Sequence, residues 1–146
     1  MSGSADSTPR PTSAGAAAPA HTYDYAVVRV VPRVERGEMI NVGVILSCPD
    51  VSFLEARIEL DEARLLAFDP AMDLDDVRTH LDTIPITCRG GVEAGPIGAL
   101  PQRARFHWLV APRSTIIQIS PVHTGRTDDP AAALERLLDR MVRTQR

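Results

Sequence analysis

The sequence has little that would tie the chain to a membrane, a metal or a disulfide scaffold. It contains only two cysteines, Cys48 and Cys88, and no CxxC pair, which indicates neither a zinc ribbon nor a stapled secreted domain. No stretch reaches the roughly 20 apolar residues of a membrane helix, and no apolar run of signal-peptide length is present near the N-terminus. We therefore expect a soluble cytoplasmic protein that needs no metal ion and no cofactor.

Lysine is missing altogether, since all 16 basic residues are arginine. Alanine, aspartate and proline are abundant at the same time, a composition typical of a GC-rich bacterium, so the number of arginines says little about ligands. The formal net charge is −3. A broad, sequence-independent nucleic-acid binder needs a positive surface, so we do not expect nucleic acid as a partner.

The chain divides by composition into a tail and one domain. Residues 1–21 are mainly Ser, Ala, Pro, Thr and Gly, with almost no large apolar side chain. Burial there cannot offset the conformational entropy that is lost on ordering, so we predict a disordered tail over residues 1–21. Residues 22–146 have the length of one domain with a real core and are too few for two.

Alternating apolar residues and turn signals predict strands in the first half of this domain. The predicted strands are Tyr23–Val31, Met39–Cys48 and Phe53–Leu60. Short connections between consecutive strands favour an antiparallel meander. A short β-branched run, Thr115–Ile119, predicts a fourth strand of the same sheet.

Helical spacing and capping residues predict helices after these strands. The predicted helices are Asp73–Ile84, which Pro85 ends, Ala99–Val110, and a last helix that begins at Asp129-Pro130. Residues 61–68 have room for one helical turn, and the glycine-rich stretch 89–98 is predicted to be a connector. Strands first and helices later, without a repeated βαβ unit, indicate an α+β fold, an antiparallel sheet of about four strands with helices packed on one face.

One strand departs from what folding alone requires. Asn41 and Gly43 lie in the middle of the predicted second strand, although both residue types are poor strand formers. Such a strand is bulged, approached closely by another backbone, or presents a polar group. Alternation puts Asn41 and Gly43 on the face away from the predicted core, together with Arg29 and Arg57 of the neighbouring strands.

This polar face has two interpretations. In the first it is simply solvated, and Arg57 pairs with the glutamates on either side of it. In the second, Arg29, Asn41 and Arg57 converge on an anion, a peptide backbone or the acidic side chain of a partner, because guanidinium and amide groups orient such ligands. Arg36 and Glu38, in the turn before the strand, form either a weak surface ion pair or part of the same site.

A second polar cluster runs from residue 105 to residue 125 and contains Arg105, Arg113, Ser114 and His123. A serine with His123 as its base is a chemically allowable nucleophile. However, no GxSxG elbow surrounds Ser114 or Ser120. The histidines and cysteines show no pair at ligand spacing, and the glycine-rich connector matches no phosphate-loop pattern.

An ordered set of residues runs through the domain from residue 22 to residue 143. The set is Tyr23-x-Tyr25 with Val28, Pro32, Glu38-x-x-Asn41-x-Gly43-Val44, Arg105-Phe106, Pro112-Arg113-Ser114 and Ser120-Pro121-x-His123-x-Gly125. This set resembles the bacterial domain of unknown function 3037 family. The resemblance implies no established activity, but members are often encoded beside a HipA-like kinase, which would make this chain an accessory or regulatory partner. The family's polar positions correspond here to Glu38, Asn41, Arg105, Arg113, Ser114 and His123.

Two hypotheses follow. The favoured one is a non-catalytic accessory or binding module that acts with a partner protein, such as a HipA-like kinase encoded nearby. The alternative is a small enzyme or a nucleotide or phosphate binder that takes a small anionic ligand. It would use the cluster Arg36, Glu38, Arg113, Ser114 and His123.

Overall fold

The computed structural model describes residues 18–113 and 115–144, and it is built on an antiparallel sheet of five strands. The strands are β1 (His21–Val30), β2 (Ile40–Cys48), β3 (Phe53–Ile58), β4 (Ile117–Ile119) and β5 (His123–Thr127). Their spatial order is β3-β2-β1-β4, and β5 also pairs with β1. The α+β class and the meander β1-β2-β3 are therefore confirmed.

The helices are α1 (Glu62–Phe68), α2 (Leu74–Arg89), α3 (Gln102–Val110) and α4 (Pro130–Met141). Asp61, Asp73 and Asp129 cap α1, α2 and α4, because each side chain accepts a hydrogen bond from a backbone N–H of the first turn. Short 3₁₀ turns cover Val34–Arg36, Pro49–Val51 and Val92–Ala99.

Helix α2 continues through Pro85 to Arg89, whereas the proline was expected to end it at Ile84. A proline inside a helix costs about 3 kcal/mol, because one backbone hydrogen bond is lost and the ring crowds the preceding turn. Ile84, Thr87 and Cys88 are buried in the turns around the proline. Their burial offsets this cost, since a fully buried large apolar side chain contributes about 1.5–3 kcal/mol.

Strand β5 was not predicted, because its sequence His-Thr-Gly-Arg-Thr has neither apolar alternation nor many strongly β-forming residues. Its pairing partner is the first half of the long strand β1, whereas β4 pairs with the second half. Ser120 lies between β4 and β5, and its hydroxyl accepts a hydrogen bond from the Val27 N–H at 2.8 Å. The long β1 therefore recruits a segment that would not form a strand alone.

Helices cover both faces of the sheet, which differs from the expected single covered face. On the first face, α1, α2 and α3 pack on a core that contains Val28, Val42 and Ile45. On the second face, α4 packs on Val44, Leu46 and Cys48. The sheet is thus the middle layer of three.

A β-bulge in β2 explains why regular strand alternation predicted only one covered face of the sheet. Val28 pairs with Gly43 and Arg29 pairs with Asn41, so Val42 has no partner on β1. The extra residue reverses the alternation along β2. Val42 therefore belongs to the first core and Val44 to the second, although their spacing of two predicts one shared face.

The predicted tail falls mostly outside the described residues, which exclude positions 1–17. Its last residue, His21, belongs to β1 and pairs with Thr127. At the other end of the domain, α4 is followed by the buried Val142.

Candidate functional site

The polar side chains predicted to share one sheet face do so, but Asn41 and Arg57 also contact α4, and the Arg57 side chain remains 45% exposed. Arg29 Nε donates to Asn41 Oδ1 at 3.3 Å, and Asn41 Nδ2 donates to the carbonyl oxygen of Met141 at 3.0 Å. Arg57 Nη1 donates to Glu135 of α4 at 3.0 Å. The hydrogen-bonding groups of Asn41 and Arg57 are therefore engaged within the chain.

Arg143, just beyond α4, forms the centre of an ion-pair cluster on this second face. Its Nε and Nη2 donate to the two carboxylate oxygens of Glu59 at 2.8 and 2.6 Å, and its Nη1 pairs with Glu135 and Asp139. These hydrogen bonds hold the pKa values of Glu59 and Glu135 below their usual range. The cluster fastens the C-terminal end of α4 to the sheet.

Gly43 faces the first core, whereas alternation had placed it beside Asn41. A methyl group added at Gly43 would lie 2.6 Å from the Arg57 carbonyl oxygen and 2.6 Å from Cδ1 of Ile58. The strand therefore carries a glycine here because β3 approaches it closely at the bulge.

Arg36 and Glu38 form an ion pair in the turn before β2, with Arg36 Nε 2.7 Å and Nη2 3.1 Å from the two Glu38 oxygens. Both side chains are about half exposed, and exposed pairs of this kind contribute about 0–1 kcal/mol. They line a cleft with Arg33 and the turn 68–70.

The remaining candidates of the second cluster lie in separate places. The guanidinium of Arg113 stacks on the Trp108 ring at 4.5 Å and lines a cleft with His80 of α2. His123 is exposed on β5, where its ring lies 5.5 Å from that of Tyr25. Ser114 lies outside the described residues. The hydroxyl of Ser120, the other serine considered as a nucleophile, accepts from the Val27 N–H of β1 and donates to the Pro121 carbonyl oxygen.

Arg105 differs from the other arginines because it is buried, with only 8% of its surface exposed. Its Nη1 donates to the Leu100 carbonyl oxygen at 3.3 Å, whereas its Nε is buried and has no hydrogen-bond acceptor among residues 18–113 and 115–144. A buried cationic donor without a partner is unfavourable by roughly 1–3 kcal/mol or more. Arg105 is therefore the described side chain whose environment folding alone explains least.

Arg105 lines an open cleft of about 390 Å³ between the start of β3, the end of α2 and the start of α3. Two more charged residues, Glu55 and Arg89, are among those that line it. Cys88 contributes to the wall, but burial raises the pKa of its thiol to about 12, which keeps it protonated and unreactive. We name this feature the Arg105 cleft. Of its charged residues, the sequence had singled out only Arg105.

A glycine-rich loop between α2 and α3 borders the Arg105 cleft and exposes apolar side chains. Val92 is 97% exposed, and the residues around it enclose an apolar hollow of about 420 Å³ that includes Pro96 and Ala99. We name residues 91–100 the apolar loop. The sequence signal was the four glycines and one proline of residues 89–98, which predicted a connector and not a binding surface.

The described residues support neither a metal-binding site nor a membrane-spanning helix. Residues 18–113 and 115–144 contain no group of three or more His, Cys, Asp or Glu side chains placed to hold a metal ion. In the same part of the chain, every helix is too short or too polar to cross a membrane.

Comparison with known proteins gives one match. Residues 25–142 match the family described as Protein of unknown function (DUF3037). The search of curated proteins and the search of solved structures gave no match. The matched region covers all four α-helices and the sheet except the first four residues of β1, so the chain belongs to the DUF3037 family.

Proposed function

We propose that the chain is a non-catalytic accessory module that binds a partner protein through its apolar loop. The observation that carries this proposal is the apolar hollow of this loop, beside which Val92 is 97% exposed and Leu100 is 39% exposed. A fully exposed valine beside an apolar hollow is unfavourable in water, and such surface patches are typical of binding sites. A partner that covered Val92 would remove this surface from water.

The apolar loop is held in one shape, which favours binding. Gly91 N–H donates to the Gly98 carbonyl at 3.1 Å, and Ala94 N–H donates to the Gly91 carbonyl at 3.1 Å. A methyl group at Gly98 would lie 1.9 Å from the Gly91 oxygen. The close approach of these two backbone segments therefore requires glycine at position 98. A loop already ordered loses less conformational entropy on binding.

The polar candidates support a binding role over a catalytic one, because they act within the fold. Asn41 and Arg57 hold α4, Arg36 pairs with Glu38, and the Ser120 hydroxyl accepts a backbone hydrogen bond. A catalytic group needs a proton donor or acceptor that is available to a substrate. In the described residues these side chains are occupied by their neighbours.

The family resemblance suggests the partner, a HipA-like kinase encoded beside this chain. The test is co-purification of that kinase, co-expressed with the tagged chain, using Val92→Glu as the perturbation. Placing a carboxylate in an apolar interface should weaken binding tenfold or more, which is about 1.4 kcal/mol. Val34→Glu is the matched control, because Val34 is 48% exposed in a different 3₁₀ turn.

The expected result is loss of the kinase with Val92→Glu and retention with Val34→Glu. Both variants should melt at the temperature of the parent chain, since both positions are on the surface. Equal recovery of the kinase with all three proteins would refute the apolar loop as the docking surface. Failure of the parent chain to retain the kinase would refute the kinase as the partner.

A further inference from the structure

We propose that the Arg105 cleft binds a small carboxylic acid, with the Arg105 guanidinium as the group that holds the carboxylate. This proposal does not depend on the docking of a partner protein, although Leu100 of the apolar loop accepts a hydrogen bond from Arg105. Its starting point is the buried Nε of Arg105, which has no acceptor among the described residues. Buried polar groups of native proteins are nearly always hydrogen-bonded to protein, water or ligand.

The geometry of a guanidinium indicates which kind of acceptor is missing. Nε–H and one Nη–H point in the same direction and match the two oxygens of a carboxylate. Among the described residues, Arg36 with Glu38 and Arg143 with Glu59 show this fork. In Arg105, Nη1 is engaged by Leu100, whereas Nε lacks the acceptor that it has in the other two arginines.

The packing around Arg105 holds its guanidinium in place. Gly90 has a φ of +74°, and a methyl group there would lie 2.6 Å from Nη1 and 2.8 Å from Cζ of Arg105. The side chain therefore lies directly against the backbone of Gly90, where no other residue type would leave room. A fixed guanidinium binds a carboxylate with less loss of side-chain entropy than a flexible one.

The charges of the Arg105 cleft favour a carboxylate over a phosphate. Arg89 and Arg105 contribute two positive charges and Glu55 contributes one negative charge, which leaves a single positive charge in excess. One carboxylate balances this excess, whereas a phosphate dianion exceeds it. The volume of about 390 Å³ lies at the lower end of the range for small-molecule sites.

The test follows the Nε–H resonance of Arg105 by ¹H–¹⁵N NMR while ligands are added to the full chain. N-acetylglycine is the carboxylate probe, N-acetylglycinamide is its uncharged match, and inorganic phosphate is the third probe. We expect a saturable shift of the Arg105 resonance with N-acetylglycine and none with the amide. The Arg143 resonance is the internal control, because that fork already holds Glu59.

Two variants separate binding from a structural role of Arg105. Arg105→Lys keeps the charge and removes the fork, so the saturable shifts of the surrounding backbone amides should be lost. Glu55→Gln leaves Arg105 intact and removes the opposing charge, so phosphate should then bind where it did not before. An Arg105 shift that is absent, or equal for N-acetylglycine and its amide, would overturn the proposal. Tighter binding of phosphate than of N-acetylglycine to the parent chain would also overturn it.

Discussion

The two-core arrangement predicts that Val42 and Val44 behave differently toward helix α4, although they are two residues apart in one strand. Val44 shares a core with Leu138 of α4, whereas Val42 belongs to the core under α2. The perturbation is a pair of double-mutant cycles, Val44→Ala with Leu138→Ala and Val42→Ala with Leu138→Ala. Only neighbouring residues are energetically coupled in such cycles.

The magnitudes follow from burial, because Val42, Val44 and Leu138 are each at most 1% exposed. Each valine truncation removes about two methylene equivalents and should lower the free energy of unfolding by about 2 kcal/mol. Leu138→Ala should lower it by about 3 kcal/mol, within the usual range of 2–5. We expect a coupling of about 1 kcal/mol for Val44 with Leu138 and less than about 0.5 kcal/mol for Val42 with Leu138.

The assay is urea unfolding followed by far-UV circular dichroism, with trimethylamine N-oxide present throughout so that the double variants stay folded. Val42→Ala with Leu81→Ala is the positive control, since Leu81 lies in the same core as Val42. Equal coupling of Val42 and Val44 to Leu138 would refute the bulge and the covered second face.

Two further predictions concern titration and thiol reactivity. Arg143 holds the pKa of Glu59 below its unfolded value of about 4.3. The unfolded chain therefore takes up this proton first, so the stabilisation is complete above pH 4.3 and is lost as the pH falls through the folded pKa. Glu59→Gln should accordingly flatten the dependence of the melting temperature on pH below about 4.3, and an unchanged slope would contradict the ion pair. Burial raises the pKa of Cys88 to about 12 and also raises that of Cys48, so both thiols should react with a disulfide reagent at pH 8 only after urea is added. Rapid labelling of the native chain would contradict their burial.

Local sequence signals predicted most of the secondary structure. The three strands of the meander and helix α2 carry periodicities that depend only on the geometry of a strand or a helix. The capping aspartates likewise act on the turn that follows them. Where prediction differed, at Pro85 and in β5, burial or pairing with distant residues outweighed the local preference.

In the candidate site, too, local sequence signals and tertiary packing contributed different information. The sequence identified Arg105 as a polar position, but its unusual feature is the lack of an acceptor at a buried Nε, which depends on the packing of α2, β3 and α3. No sequence pattern indicated that Glu55 and Arg89 lie near Arg105, because only the fold brings them to the same cleft. The exposure of Val92 is also a tertiary property, since composition alone indicated an ordinary connector.

The segment with Asn41 and Gly43 shows separately what the sequence determines and what the tertiary structure determines. The sequence by itself determined that this strand is irregular, because Asn and Gly are unfavourable in a regular strand. Only the tertiary structure decided the form of the irregularity, a bulge at Val42 that turns Gly43 toward β3 and leaves Asn41 to bind the end of α4. The physical reason is that one extra residue reverses which face each later side chain occupies, and that residue is defined by pairing with β1.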